Sequence, residues 1–456
     1  MPGGVFLIIS KIRLENFRGF KNFDLEMHPK LTIIAGINGL GKTTLTSAAR
    51  LILWSYVRNY GDDVRHGIVP KIELDDVHCF QTETSERELK FPCSVKGIFN
   101  FPDGDGFGYF DEDFDDEFAF DIVGCELKSE NSKIKWLHAN SVDLEATKKG
   151  MDAAFEDLDR LLGEESRPTN LPVVACYGTN RLWRKHATPR KSARTTHRFV
   201  GYDGAVNLNS HYFKFEWFIF LILAFENRES AALLLLSVKE AILTVTNWEL
   251  LLPQKGNKDI LFKLGKEKMK LSQLGDGVRS MIELVGDLAC RCALLNSYYK
   301  KDAVKKTSGV VLIDEIDMHL HPRWQQTILK QLQDAFPKIQ FIVTTHSPQV
   351  LSTVRRENIR LLERDASGQV SANEPLARTY GEPSGDILHS VMQVDPQPPV
   401  AEKADLQRLT ELVDKGLYDE PQALQLAREL SLSLGEQHPQ MQRLKRSIAR
   451  QKVLKG

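Results

Sequence analysis

The chain has 456 residues, and its 42% hydrophobic content supports a sizeable core and excludes global disorder. This length predicts two or three domains. Sixty basic residues oppose 61 acidic ones, so the net charge of -1 does not indicate a nucleic-acid partner, although segregated charges can cancel. The six cysteines include no C-x-x-C pair, and the longest apolar run, Trp217 to Phe225, is too short to cross a bilayer. We expect a soluble, cytoplasmic protein with reduced thiols and no membrane contact.

The order of apolar patterns predicts an α/β protein whose core is divided along the chain. Alternating residues over 12–27 predict strands, and the dense run at 31–34 predicts a buried central strand. A helix is predicted from Thr43 to about Arg58. The pattern becomes helical over 205–250, and a second α/β block follows over 261–362. These two blocks predict one nucleotide-binding core interrupted by an insertion, with a helical tail after it.

The segment Gly36–Thr43 fits the phosphate-loop pattern G-x-x-x-x-G-K-[ST]. It lies between an apolar strand and a helix, where glycines allow backbone N–H groups to surround a phosphate and the helix dipole attracts an anion. The Lys side chain can neutralise phosphate oxygens, and the hydroxyl of Thr43 can hold Mg²⁺. The residues expected to bind nucleotide in this loop are Gly36, Asn38, Gly39, Gly41, Lys42, Thr43 and Thr44.

Two acids end the apolar strand Val310–Ile313. A buried strand rarely ends in carboxylates without a use for them. Asp314 is suited to Mg²⁺ ligation, and Glu315 is suited to polarising the water that attacks a γ-phosphate. A second apolar strand, 339–343, leads to His346, which is placed to sense that phosphate. We expect Glu315 and His346 to act in catalysis, and Thr43 and Asp314 to hold the metal.

A second glycine-rich turn, containing Gly275 and Gly277, precedes another helix pattern and predicts a second anion site. One subunit does not need two such loops for one triphosphate. We therefore expect the loop at 275–277 to contact the nucleotide of a neighbouring subunit.

The ordered set of motifs resembles the ABC-type ATPase heads of the SMC, RecF and Rad-type repair families. In those heads a Walker A loop, a signature loop, a Walker B strand, a D-loop and a switch histidine follow in order, and here they correspond to Gly36–Thr43, Leu274–Ser280, Ile313–Glu315, Asp317 and His346. The resemblance covers residues 8–60 and 261–365 and implies ATP and Mg²⁺ as cofactors. Gly275 replaces the usual signature Ser, which leaves slow hydrolysis or a switch role open. Gln81 is a candidate for the glutamine that lines the magnesium site in such heads.

The resemblance implies an α/β head of the ABC/SMC P-loop type with a helical insertion and a helical C-terminal tail. Its N-terminal lobe would span 1–200 and carry the Walker A loop, and the insertion would span 201–255. The C-terminal lobe would span 256–370, and the tail at 371–456 would contact partners or other subunits. The insertion lacks sustained heptads, so no long coiled-coil arm is expected.

A finer resemblance is to the ATPase subunit of Septu-type antiphage systems, some of them attached to retrons. It depends on Tyr177–Arg181, on Phe213, Glu216, Trp217 and Phe218, and on Gly381, Ser384, Ile387 and Leu388. It implies an HNH endonuclease partner, possible association with a reverse transcriptase and its DNA product, and a nucleotide-sandwich dimer or larger homo-oligomer. No nuclease site is expected in the chain itself. The alternative is a RecF-like repair ATPase that acts directly on DNA.

The near-neutral total conceals three charged segments. The acidic-aromatic segment 101–121 has nine acids and no Lys or Arg, and it could contact a basic partner or form a hairpin. The basic segment 181–198 has seven Lys and Arg and no acids, which favours nucleic-acid binding over a surface loop or a contact to a neighbour's ATP. The tail after Met441 is also basic and suits either an acidic partner or DNA.

Overall fold

The computed structural model describes residues 7–58, 70–81, 87–100, 121–130, 133–140, 170–179, 198–206, 219, 228–252, 260–366 and 368–455. Two compact units divide the chain, at residues 1–387 and 388–456. The acidic segment 101–121 lies outside the described residues except for Asp121, and the basic segment 181–198 lies outside them except for Arg198.

The first part of the chain contributes mainly strands. In chain order they and the first helix are β1 Ile8–Phe17, β2 Phe20–Glu26, β3 Leu31–Gly36, α1 Lys42–Val57, β4 Cys79–Gln81, β5 Arg87–Leu89, β6 Cys93–Asn100, β7 Asp121–Glu130, β8 Lys133–Asn140 and β9 Val173–Tyr177. The predicted helix at 43–58 is thus confirmed, as are the early strands and the buried strand at 31–34.

Helices and strands alternate in the next part of the chain. They are α2 Arg228–Thr246, β10 Glu249–Leu251, β11 Leu261–Leu264, β12 Glu267–Lys270, α3 Asp276–Leu295, α4 Ala303–Lys306, β13 Gly309–Ile313, α5 Pro322–Gln325, α6 Ile328–Ala335, β14 Ile339–Thr344, α7 Pro348–Leu351, β15 Ile359–Arg364 and β16 Val370–Asn373. The final helices are α8 Ser384–Ser390, α9 Lys403–Asp414, α10 Pro421–Leu434 and α11 Pro439–Lys455.

A six-stranded sheet in the order β16-β15-β3-β14-β13-β9 forms the centre of the first unit. Its strands pair in parallel, except that β16 runs antiparallel to β15. Every residue of β3, β13, β14 and β9 is buried, as expected for parallel strands that are covered on both faces. In this order β14 lies between β3 and β13, so two motifs that are distant in the sequence end at one edge of the sheet.

A five-stranded antiparallel sheet, in the order β2-β1-β6-β7-β8, joins the central sheet through a buried glutamine. The Gln340 side chain, on β14, accepts a hydrogen bond from the backbone N of Ile9 at 2.9 Å and donates to the carbonyls of Ile9 and His28 at 2.8 and 3.0 Å. Its amide N–H groups and oxygen are all paired, which removes the cost of burying a polar side chain.

A buried ion pair within α3 accepts a hydrogen bond from the end of β9. Arg291 and Asp287 are 2% and 1% exposed, and the Arg291 Nε lies 2.8 Å from the Asp287 Oδ2. The Tyr177 hydroxyl, at the end of β9, donates to the same carboxylate oxygen at 2.7 Å. Burial opposes the charge on Arg291, but Asp287, Tyr177 and Asp203 together outweigh it and raise the pKa of the guanidinium. The hydrogen bond from Tyr177 to Asp287 connects the body of α3 to β9. Tyr177 also lies next to Asp314, whose backbone N donates to the Tyr177 carbonyl at 2.8 Å.

The second unit contains three helices, α9 to α11, around a small apolar core. Its buried residues are Leu406, Leu409, Val413, Tyr418, Ala423, Leu426, Leu430, Met441 and Leu444. Among the helices that the structure describes, none combines the length and apolarity that a bilayer crossing requires. The expected divisions at 200, 255 and 370 remain predictions. Within the expected helical insertion the described residues form α2 and β10.

Replacing Arg291 by Met should lower the free energy of unfolding by about 3–5 kcal/mol, because it leaves the Asp287 carboxylate buried with one fewer partner. The control is Lys330→Met, which removes an ion pair of the same spacing to Asp334 on the surface, where Lys330 is 82% exposed. That change should cost no more than about 1 kcal/mol. Urea denaturation measures both values, and equal small losses would contradict the stabilising role of the buried pair.

Candidate active site

The turn between β3 and α1 has a backbone conformation that requires glycine. Gly39 and Gly41 have φ angles of 84° and 98°, in the left-handed region. A Cβ on Gly41 would also lie 2.7 Å from the ring of Phe20, and one on Gly36 would lie 3.0 Å from Leu362. Steric constraints in this fold therefore explain why the phosphate-loop pattern has glycine at these positions.

This turn presents backbone donors and a cation together. Within the described part of the chain, the backbone N–H groups of Gly39, Gly41 and Lys42 have no protein acceptor. The Lys42 ammonium donates to the carbonyls of Gly36 and Ile37 at 2.7 and 3.0 Å, and the residue is only 7% exposed. Free N–H groups at a helix start beside a Lys make an anion-binding cradle, so the loop fits a phosphate group.

One threonine hydroxyl holds both acids at the end of β13. The Thr344 Oγ1 donates to the Asp314 Oδ1 at 2.5 Å and accepts from the Glu315 backbone N at 2.7 Å. Asp314 is 3% exposed, whereas Glu315 is half-buried and has a positive φ of 48°. The hydroxyl therefore fixes where the two carboxylates leave the strand. The role of Thr344 is not predictable from local sequence, because it depends on the pairing of β13 with β14.

The turn after the acidic pair is hydrogen-bonded to the segment that carries His346 at the end of β14. The Thr345 Oγ1 donates to the Asp317 Oδ1 at 2.5 Å, and the His346 backbone N lies 3.4 Å from the same oxygen. The Ser347 hydroxyl donates to the Gln325 Oε1 at 2.7 Å, and the Gln325 amide donates to the carbonyl of Leu320 at 2.9 Å. The segment after the acidic pair and the segment carrying His346 therefore form one hydrogen-bonded structure.

Electrostatic interactions show that residues from both halves of the sequence share one environment. Burial lowers the pKa of the Lys42 ammonium, and the charges of Glu315 and Asp314 act against this fall. Burial, then the positive charge of Lys42, lower the pKa of His346, while Glu315, Asp317 and Asp314 raise it. The net lowering favours a neutral His346 imidazole near neutral pH.

The remaining residues of the phosphate loop lie at or near the surface. Thr43 and Asn38 are exposed, and Thr44 is half-buried. The exposed hydroxyl of Thr43, the carboxylate of Asp314 and the carboxylate of Glu315 are hard oxygen donors of the kind that Mg²⁺ prefers. This donor set fits the metal that accompanies a nucleoside triphosphate.

The second glycine-rich turn contacts the acidic turn, which is the turn that follows Glu315 and includes Asp317 and His319. Gly275 precedes α3 and is exposed, and a Cβ on it would meet no atom within 4 Å. A Cβ on Gly277 would instead lie 2.4 Å from the carbonyl oxygen of His319. The start of α3 is therefore packed against the turn that follows Glu315. Gln81 lies in β4, in a separate two-stranded sheet with β5.

Comparison with known proteins shows two kinds of similarity. A "Retron Vc95 probable ATPase" from Vibrio cholerae serotype O1 biovar El Tor is 36% identical over 162 residues, 35% of this chain and 30% of that protein. A "Septu protein PtuA" from Bacillus mycoides (strain KBAB4) is 44% identical over 91 residues, 20% of this chain and 12% of that protein. The matched segments span less than a third of these relatives. The resemblance to retron and Septu proteins is thereby confirmed.

A solved structure described as "Crystal structure of the SmcHead bound to the C-winged helix domain of ScpA" aligns with 80% of this chain and 97% of its own, at 14% identity and a TM-score of 0.46. The family model described as "AAA domain, putative AbiEii toxin, Type IV TA system" matches residues 31–352, from the first residue of β3 to the residue after α7. This match covers well over half of the chain and includes both halves of the candidate site, so the chain belongs to that AAA-domain family.

Proposed function

We propose that this protein binds and hydrolyses ATP with Mg²⁺ at the edge of the sheet where β3, β13 and β14 end. The observation that carries the proposal is the position of β14 between the other two strands, which brings Lys42, Glu315 and His346 into one electrostatic environment. Membership of an AAA-domain family and similarity to a retron "probable ATPase" support it.

The phosphate-binding groups come from the loop before α1. The backbone N–H groups at Gly39, Gly41 and Lys42 surround the phosphates, and the Lys42 ammonium moves from its carbonyl partners to a phosphate oxygen. Thr43 and Asp314 would hold Mg²⁺, which when bound neutralises charge on the triphosphate. Asp314 is ready for this role because Thr344 fixes one of its oxygens.

The hydrolytic groups come from the ends of β13 and β14. The Glu315 carboxylate accepts a hydrogen bond from the attacking water and orients it toward the γ-phosphate. A neutral His346 can donate a hydrogen bond to that phosphate without adding a full charge. The hydrogen bond from the Glu315 backbone N–H to Thr344 and the one from the Thr345 hydroxyl to Asp317 keep the two groups in fixed relative positions.

The exposed loop at Gly275 would complete the site of a second subunit. Its backbone N–H groups lie at the start of the 20-residue helix α3, where an anion is favoured. ATP would then bind between two heads, and its hydrolysis would release them. The packing of Gly277 on His319 supports this proposal, because it links the loop that would contact a neighbour's ATP to the chain's own acidic turn.

The biological role that fits best is a regulatory or scaffold subunit of a bacterial antiphage complex, in which nucleotide-dependent head dimerisation controls an HNH endonuclease. Similarity to a retron ATPase and to a Septu protein supports this assignment. A RecF-like protein that acts directly on DNA would use the same site, and the two possibilities differ in their partners.

Replacing Glu315 by Gln should lower ATP turnover by about 10²- to 10⁴-fold while ATP still binds, because a neutral amide cannot take a proton from the attacking water as a carboxylate can. Since ATP then persists, this variant should sediment with ATP as a dimer or larger assembly. Lys42→Ala should lose both ATP binding and that assembly. The control Glu267→Gln alters an exposed residue of β12 and should behave as wild type. Undiminished phosphate release by Glu315→Gln would contradict the proposed site.

Replacing Gly277 by Ala should lower the turnover number at least about tenfold with little change in ATP affinity, because the new Cβ displaces the turn at His319 that follows Glu315. Gly19→Ala is the matched control, since a Cβ there meets nothing within 4 Å. Steady-state kinetics and calorimetry measure the two quantities. If both glycine variants retain wild-type turnover, the contact does not position the acidic turn.

When the protein is expressed from its native operon, an HNH endonuclease should co-purify with it, as identified by mass spectrometry. The amount of the nuclease recovered should differ between purification in ATP and in ADP. Recovery of DNA without any nuclease subunit would support the RecF-like alternative and exclude nuclease control.

A further inference from the structure

Charge in the second unit is divided between two parts of the sequence. Residues 388–436 contain nine acids and four Lys or Arg, whereas residues 437–456 contain six Lys or Arg and no acids. The basic part is almost entirely the helix α11, so the helix produces a field of one sign on its own side of the unit.

Packing determines which side of α11 faces solvent. Met441 and Leu444 are 3% and 7% exposed and belong to the apolar core, and Ile448 packs against it one turn later. Arg443, Arg446 and Arg450 are all exposed. Because their spacing is three and four residues, they lie along one face of the helix, within about 10 Å of each other along its axis.

These three arginines differ from the neighbouring lysines in having no side-chain partner. Lys445 lies 3.4 Å from Glu436, and the Lys452 ammonium lies 5.7 Å from the ring centroid of Tyr418. Across the described ranges, no ion pair or hydrogen bond involves the side chains of Arg443, Arg446 or Arg450. Three free guanidinium groups in a row can each bind an anion in a bidentate manner.

We propose that this arginine face, Arg443, Arg446 and Arg450, binds the phosphate backbone of a nucleic acid. An interface with an acidic protein would be expected to centre on apolar or aromatic side chains. Among the residues of α11 whose exposure the structure describes, Val453, 81% exposed, is the one large apolar side chain at the surface, and it lies at the end of the arginine face. A polar, positively charged surface without an apolar centre is typical of contacts to nucleic acid. The face belongs to the second unit and the candidate ATP site to the first, so the proposal goes beyond ATP hydrolysis.

The test measures binding of the full-length protein to a labelled 30-nucleotide DNA strand and to its duplex, by fluorescence anisotropy without nucleotide, across a series of salt concentrations. The first variant combines Arg443→Glu, Arg446→Glu and Arg450→Glu. The control combines Arg408→Glu, Lys415→Glu and Arg428→Glu, which changes the net charge of the same unit equally at other exposed positions. Residues 181–198 are identical in all variants, so any contribution from them cancels.

The arginine-face variant should bind at least about tenfold more weakly at 0.1 M salt, and its slope of log K against log salt should fall by about 2 for the single strand. The DNA form, single strand or duplex, whose affinity falls more in the arginine-face variant is the form that the face prefers. The control should retain the wild-type slope. A neutral variant with Gln at the three positions should show a similar decrease in the slope of log K against log salt. It replaces the Glu variant in the test if the Glu variant does not fold.

Equal weakening by the arginine-face and control variants would overturn the proposal, because only net charge would then matter. An unchanged slope would overturn it as well. Loss of a protein partner from the arginine-face variant, with oligonucleotide affinity preserved, would assign the face to an acidic protein and also refute nucleic-acid binding.

Discussion

The pairing of β14 with β3 on one side and β13 on the other is the constraint on which the candidate site depends. Thr344 pairs with Ile34, and Val343 pairs with both Ile33 and Ile313, so the ends of the three strands are level. The phosphate loop begins two residues beyond Ile34, and the acids begin one residue beyond Ile313. A shift of one register step would move the carboxylates along the edge and reverse the face of each side chain.

Polar residues at the end of β14 convert this alignment into a defined geometry. Thr344 and Thr345 are fully buried and use their hydroxyls on Asp314 and Asp317. The acidic turn is also packed against the start of α3 at Gly277, while the middle of α3 is connected to β9 by the hydrogen bond from Tyr177 to Asp287. A displacement of the acidic turn would therefore also displace the start of α3. This connection is the physical basis for proposing that ATP hydrolysis changes the contact between two heads.

The sequence predicted the parts of the site that follow from local patterns. The phosphate loop, the strand before Asp314 and the helix after the loop are recognisable because a few adjacent residues determine them, and the observed elements confirm these bounds closely. Thr344, Gln340 and the contact between Gly277 and His319 could not be predicted in this way, because each depends on residues brought together by the tertiary fold. The nucleotide and metal roles of individual residues remain predictions, as do the three domain boundaries and the functions of segments 101–121 and 181–198.

The central claim is that Thr43, from the first half of the chain, and Asp314, from the second, serve one magnesium ion on ATP. A double-mutant cycle on the affinity for ATP tests it directly, using calorimetry of wild type, Thr43→Ala, Asp314→Ala and the double variant. With Mg²⁺ present, the two losses should be non-additive by at least about 1 kcal/mol, as for residues that share a partner. With EDTA the non-additivity should disappear. Additive losses in Mg²⁺ would show that the two residues act independently and would contradict a shared site.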